Sequence, residues 1–198
     1  MEIIFFYINS ARSLKNASLS LANIGPELNR DSSIVFVCSD EYYLEVRNSY
    51  ENYLEGAIFD SVLVASCGKN SFSKTAREVL KDMLRNVIIV NQNHVLRFGA
   101  LRELRRAFGS GHFGFVGNTL KNGYSIENLY DKKPNCIKKE ASELSGWEQV
   151  DSLDGMSFIT TGQNFSYFCD DEVDFGIQLR KLGFRNFIDK NIPIMEGK

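Results

Sequence analysis

Short apolar runs and longer amphipathic stretches alternate along the first two thirds of the chain. The runs fall at residues 3–8, 34–37, 62–65, 87–90 and 113–116. Each is rich in β-branched or aromatic residues and too short for a helix, which predicts buried strands. Between them lie four mixed stretches, at 11–24, 40–54, 73–84 and 98–108. In the third, Ala76, Val79, Leu80, Met83 and Leu84 recur at three- and four-residue spacing, the mark of a helix with one apolar face. Strand and helix in regular alternation imply right-handed crossovers and an α/β fold with a mainly parallel sheet sandwiched by helices.

The pattern breaks at Gly117. From 117 to 149 the text is polar, with Pro134, Lys132-Lys133 and Lys138-Lys139, and predicts a long loop or lid. Beyond it the spacing predicts strands at 150–153 and 156–160, a helix over 173–182 ending at Gly183, and a last strand near Phe187-Ile188. The chain of 198 residues thus reads as a single domain in three parts: a nucleotide-binding half (1–116), the loop or lid (117–149), and an acceptor and catalytic half (150–198).

Composition narrows the function classes. The net charge of −2 gives no overall field to recruit nucleic acid, and Arg102, Arg105 and Arg106 read as a solvated helix face. No apolar run approaches the roughly 20 residues of a membrane span, and the opening MEIIFFYINS reads as a strand rather than a leader. Cys38, Cys67, Cys136 and Cys169 are scattered, neither zinc cage nor disulfide framework, so a cytoplasmic location is expected, peripheral to a membrane at most. Asn16-Ala17-Ser18 and Asn164-Phe165-Ser166 are then chance glycosylation triplets.

Two phosphate motifs are approached and fail. Residues 109–114 spell G-x-G-x-x-G, but the glycines follow a helix and lead into a strand, the reverse of a dinucleotide fingerprint. Gly68-Lys69-Asn70 lacks the earlier glycine and the hydroxyl residue of a Walker loop. The informative signal is positional. Ligands of open parallel sheets bind beyond the carboxyl ends of the strands. Three such ends carry polar clusters: Cys38-Ser39-Asp40, Ser66 to Asn70, and Asn91-Gln92-Asn93-His94. Each precedes a helix start, so each serves either as a cap or as part of a ligand crevice. A second signal is Asp170-Asp171-Glu172-Val173-Asp174, four carboxylates in five residues before a helix. They cap that helix, or their mutual repulsion raises one pKa toward that of a working base. Asp154-Gly155, in a turn between two short strands, adds a further carboxylate.

With these residues in view the chain resembles the family-2 glycosyltransferases of the GT-A fold. Residues 34–40 are similar to the family's second strand with its acidic nucleotide contact. Residues 68–80 are similar to the glycine-led helix before the metal strand, and residues 87–96 to the metal strand itself. Gly114–Gly117 is similar to the strand that follows, and VDSLDGMSFIT (150–160) to the acceptor-side strand pair with its Asp-Gly. Glu172-Val173-Asp174-Phe175, with Arg180, Gly183 and Phe184, resembles the acid-x-acid helix and its ending, the most specific match.

The resemblance implies an inverting transfer of a sugar from a nucleotide diphosphate to an acceptor hydroxyl, in glycan or polysaccharide synthesis, with a glycan or a lipid-linked molecule as acceptor. It implies Glu172 as base, Asp174 as its orienting or capping neighbour, and Asp154 at the donor sugar or acceptor. Asp40 then contacts the nucleoside, and Lys69 and Arg77 the diphosphate, with Asn91 and Asn93 at the cofactor position. A divalent metal, Mn²⁺ or Mg²⁺, belongs to that pattern, but neutral Asn91 and Asn93 stand where the family has its aspartates. The His expected after the last strand is also absent, the chain reading Ile194-Met195-Glu196-Gly197-Lys198. The implied alternatives are an enzyme whose diphosphate is neutralised by Lys69, Arg77 or His94, and a catalytically inactive binding protein or partner subunit of the same fold. An unrelated doubly wound nucleotide-binding protein, with capping acids only, is the third reading.

Overall fold

The computed structural model describes residues 2–50, 61–80, 85–109, 111–131, 134–169 and 171–197. Its first half follows the hydrophobic pattern: β1 (Glu2–Ile8), α1 (Ala11–Ile24), β2 (Ser32–Cys38), α2 (Asp40–Tyr50), β3 (Ser61–Ser66), α3 (Phe72–Val79) and β4 (Asn86–Val90). A short β5 (His94–Leu96) precedes α4 (Ala100–Gly109) and β6 (Phe113–Thr119). The expected extensions of α2 through Leu54 and of α3 through Met83 and Leu84 lie outside the described residues.

The polar text after Gly117 is not one loop. It carries β6 to Thr119, then β7 (Asn122–Glu127), β8 (Asn135–Glu140) and β9 (Trp147–Val150). β7 and β8 pair antiparallel, and β10 (Ser152–Leu153) joins β7 to complete a three-stranded sheet. β8 is exposed along nearly its whole length and β7 is mostly half-buried, so neither carries the apolar run that marks a buried strand. Lys132 and Lys133 of the expected loop lie outside the described residues. The chain continues through β11 (Met156–Thr161), α5 (Gly162–Phe165), α6 (Glu172–Lys181), β12 (Arg185–Asp189) and β13 (Ile194–Glu196).

Eight strands form the main sheet in the order β3-β2-β1-β4-β11-β6-β12-β9. Pairing is parallel across β3-β2-β1-β4 and between β6 and β12, and antiparallel on both sides of β11 and at β9. The sheet is therefore mixed and mostly parallel, with β11 inserted against the grain. Alternate residues of β1 feed the two faces: Ile4, Phe6 and Ile8 pack with Leu21, Ile24, Val46, Leu101 and Leu104 from α1, α2 and α4. Ile3 and Phe5 pack on the other side with Ala76, Phe165, Phe175 and Leu179 from α3, α5 and α6. Helices on both faces with a two-sided apolar sheet are the α/β sandwich the alternation predicts.

Two details set the frame of the site. Strand order reverses between β1 and β4, a topological switch where crossovers diverge and leave a crevice. Because β11 runs antiparallel, its first residues lie at the edge where β4 and β6 exit, with Met156 opposite Thr119. The chain comes very close at Gly117, where an added Cβ would sit 2.7 Å from the Cβ of Phe158. Elsewhere Arg105, read as part of a solvated face, instead pairs with the buried Glu2 and ties α4 to the start of β1. Arg102 and Arg106 remain exposed and bind Glu103. Asn16 and Asn164 of the glycosylation triplets are buried, at 1% and 2% exposure. No helix among the described residues is long and apolar enough to cross a membrane.

Candidate active site

A cavity of about 570 Å³ opens at this edge, lined by the end of β1 (Tyr7), the start of α3 (Ser71, Phe72), the exit of β4 (Asn91–Asn93), the Asp154-Gly155 turn and the start of α6 (Asp171, Glu172). Lys121, just beyond β6, and Phe168 complete the wall. The aromatic side is preassembled: Tyr7 stacks on Phe72 at 4.7 Å between ring centroids, and Phe72 meets Phe168 edge-on at 5.9 Å.

Glu172 enters from the first turn of α6. Its Oε2 accepts from the backbone N–H of Met156 at 3.0 Å, and its Oε1 lies 3.4 Å from the Nδ2 of Asn91. Burial pushes its carboxyl up to about 7, against the lowering pull of these hydrogen bonds, and Asp154 adds a smaller upward push. Desolvation, then, rather than crowding within the acidic run, perturbs this carboxylate. Within that run Asp171 is the helix cap: its Oδ1 accepts from the N–H groups of Val173 and Asp174. Asp174 is exposed in the first turn and does not line the cavity, while Asp170 lies outside the described residues.

Of the expected residues, Asn91, Asn93, Asp154 and Glu172 come together; Asp40, Lys69 and Arg77 do not join them. Asp40 bridges the ends of β2 and β3, accepting from the Ser66 hydroxyl and, at 3.1 Å, from the N–H of Gly68. Lys69 is exposed in the turn after β3, and Arg77 reaches the Ser166 carbonyl at 3.5 Å. His94 cannot serve as a cation. It is 3% exposed, its Nδ1 lies 2.9 Å from the Ser157 hydroxyl, and burial, helped by the charge of Lys121, lowers its pKa to about 4. The sequence pattern missed Tyr7, Phe72, Phe168 and Lys121. Tyr7 is hidden in the apolar run of the first strand, Phe72 and Phe168 stand in polar text, and Lys121 sits in text that reads as loop.

The donor set does not suit a divalent cation. Asn91 turns its Oδ1 to the N–H of Asn93 at 3.0 Å and its amide nitrogen toward Glu172, an orientation that both neighbours require. No three His, Cys, Asp or Glu side chains among the described residues are grouped to hold a metal. A hard divalent ion needs several charged oxygens brought together. The position of Asn91 and Asn93 supplies only neutral amides, and the described carboxylates of the cavity are not grouped around one point.

No family model and no curated sequence matches the chain. Solved structures do. GalNAc-T7, determined with UDP, GalNAc and Mn²⁺, aligns over 96% of this chain with a TM-score of 0.63 at 6% identity. TarS of S. aureus in complex with UDP-GlcNAc aligns over all of it with a TM-score of 0.60 at 13% identity. The fold is the GT-A type of nucleotide-sugar transferases. The inositol-1-phosphate CTP transferase of T. maritima shares it, with a TM-score of 0.55, 13% identity and 98% of this chain aligned. This chain spans 42% of the GalNAc-T7 chain, 60% of the TarS chain and 88% of the CTP transferase chain.

Proposed function

We propose that this chain is an inverting glycosyltransferase of family-2 type, moving a sugar from a nucleotide diphosphate to an acceptor hydroxyl in glycan or polysaccharide synthesis. The observation that carries the reading is Glu172: a partly buried carboxylate, held by Met156 and Asn91, aimed into the cavity at the sheet's switch point. An acceptor hydroxyl is a poor nucleophile until a base takes its proton as the new bond forms. Glu172 accepts that proton, the acceptor oxygen bonds to the anomeric carbon, and the bond from that carbon to the diphosphate breaks on the opposite side. Asp154, on the turn across from Glu172, orients the donor sugar or the acceptor. The aromatic wall of Tyr7 and Phe72 offers a flat apolar face to a ring.

Solved structures of the same fold include nucleotidyltransferases, and the base favours glycosyl transfer over that chemistry. A sugar phosphate attacking a nucleoside triphosphate is already an anion and needs no proton acceptor. A carboxylate poised to titrate near neutrality suits a hydroxyl instead.

Thermal shift against a panel of nucleotide-sugars identifies the donor, because a ligand that binds only the folded chain raises its melting temperature. With that donor, Glu172→Gln is expected to lower the transfer rate on the order of 10²–10⁴-fold while donor affinity stays within about threefold. Full activity in this variant would move the base elsewhere, and a flat thermal-shift panel would remove the nucleotide-sugar reading.

A further inference from the structure

The titratable groups that the β10–β11 turn and the α6 start present to the cavity are all carboxyls, and the β4 exit adds only neutral amides. Asp154, Asp171 and Glu172 line it, and Lys121 is the one cationic side chain among the described residues that do. A nucleoside diphosphate carries two to three negative charges, so without a counter-charge it meets like charges in a partly desolvated site. We propose that Lys121 is the diphosphate-binding cation of this cavity, occupying electrostatically the role for which Asn91 and Asn93 are unsuited. The inference rests on the nucleotide-diphosphate reading above.

Local structure holds Lys121 in place. Thr119 at the end of β6 accepts the N–H of Lys121 on its Oγ1 at 2.9 Å, and the same hydroxyl donates to the carbonyl of Asp154 at 2.5 Å. The turn after β6 is thereby pinned to the turn before β11. The aliphatic stem of Lys121 then runs over Gly155, where an added Cβ would lie 2.8 Å from its Cδ. That contact exists because Gly155 has no side chain.

The ammonium group ends 3.8 Å from Asp154, with the lysine side chain 55% exposed and the carboxylate 38% exposed. A pair this open contributes little to stability, so its charge is available to an incoming anion. The charge also reaches the β4 exit, since it disfavours protonation of His94 behind Asn93. Lys69 and Arg77, the cations the sequence pattern favours, do not line the cavity.

The test compares UDP with uridine by calorimetric titration in the presence of EDTA, alongside GDP, CDP, ADP and dTDP should the base preference differ. Lys121→Met keeps an unbranched stem over Gly155 and removes the charge; Lys121→Arg keeps a charge. The diphosphate is expected to bind Lys121→Met about tenfold or more weaker than wild type, with nucleoside affinity unchanged and Lys121→Arg within a few-fold. On the wild-type protein, the bound nucleoside diphosphate should slow acylation of Lys121, read by mass spectrometry, and the nucleoside alone should not. Unchanged affinity in Lys121→Met, or equal protection by nucleoside and diphosphate, overturns the assignment and leaves the nucleotide-sugar reading standing. Failure of the wild type to bind any of the five nucleotides overturns both.

Discussion

Between about pH 4.5 and pH 7 the carboxyl of Glu172 keeps a proton that the unfolded chain has released. The unfolded state then binds fewer protons than the folded one, so this group's contribution to stability falls as pH rises through that window and is constant above it. The full loss is on the order of 3 kcal/mol. His94 acts in the opposite sense, costing stability as pH falls from 6.5 toward 4, so the wild-type curve alone mixes the two. The difference between wild type and Glu172→Gln isolates the carboxyl. In urea unfolding, the Gln variant is expected to gain on wild type by on the order of 2 kcal/mol between pH 5 and pH 8. A difference that does not change with pH would return the Glu172 pKa to the ordinary carboxylate range. The neighbouring amides carry a second prediction. With Asn91 engaged to Asn93 and Glu172, chelation should change UDP affinity by less than about threefold, and Asn93→Asp should introduce a Mn²⁺ dependence absent from wild type. A wild-type affinity that collapses in EDTA would reveal a metal site with other ligands.

At the scale of elements, the turn between β10 and β11 carries more of the site than its two residues suggest. Gly155 has φ of +59°, a region that disfavours side chains, and it lies under the Lys121 stem. The next residue, Met156, donates the hydrogen bond that fixes Glu172. Gly155→Ala should therefore lower unfolding free energy by about 1–2 kcal/mol and weaken nucleoside diphosphate binding more than nucleoside binding. Chemical denaturation with an unchanged m-value, followed by the two titrations, checks both effects. Neutral behaviour in both would mean that the turn adapts and does not position Lys121. Other elements were legible without the structure. Ala11–Ile24 is helical to the residue: Ser10 caps it, and Ala17, Leu21 and Ile24 recur at helical spacing on its buried face. β7 and β8 were not, because β7 is mostly half-buried and β8 is exposed along nearly its whole length, so their text is polar, as at Lys138-Lys139.

At the scale of the molecule, the alternation of runs and amphipathic stretches determined the layered α/β fold, since each strand with two apolar faces must be covered on both sides. The sequence also placed polar clusters at the strand exits and the acidic run at a helix start, which the structure fixes at Glu172 with Asp171 as the cap. Tertiary structure alone decided which clusters meet. The reversal of strand order between β1 and β4, and the insertion of β11 against the grain, bring Asn91, Asp154 and Glu172 to one cavity and leave Asp40 as a bridge between β2 and β3. The same packing, by burying Glu172 and His94, set their pKa values in opposite directions, because the cost of a charge depends on what surrounds it. Lys121 became a candidate only once the end of β6 and the start of β11 lay side by side. Hydrophobic periodicity records which face of an element is buried, whereas the neighbours of a polar side chain depend on strand order and register, to which residues distant in sequence contribute.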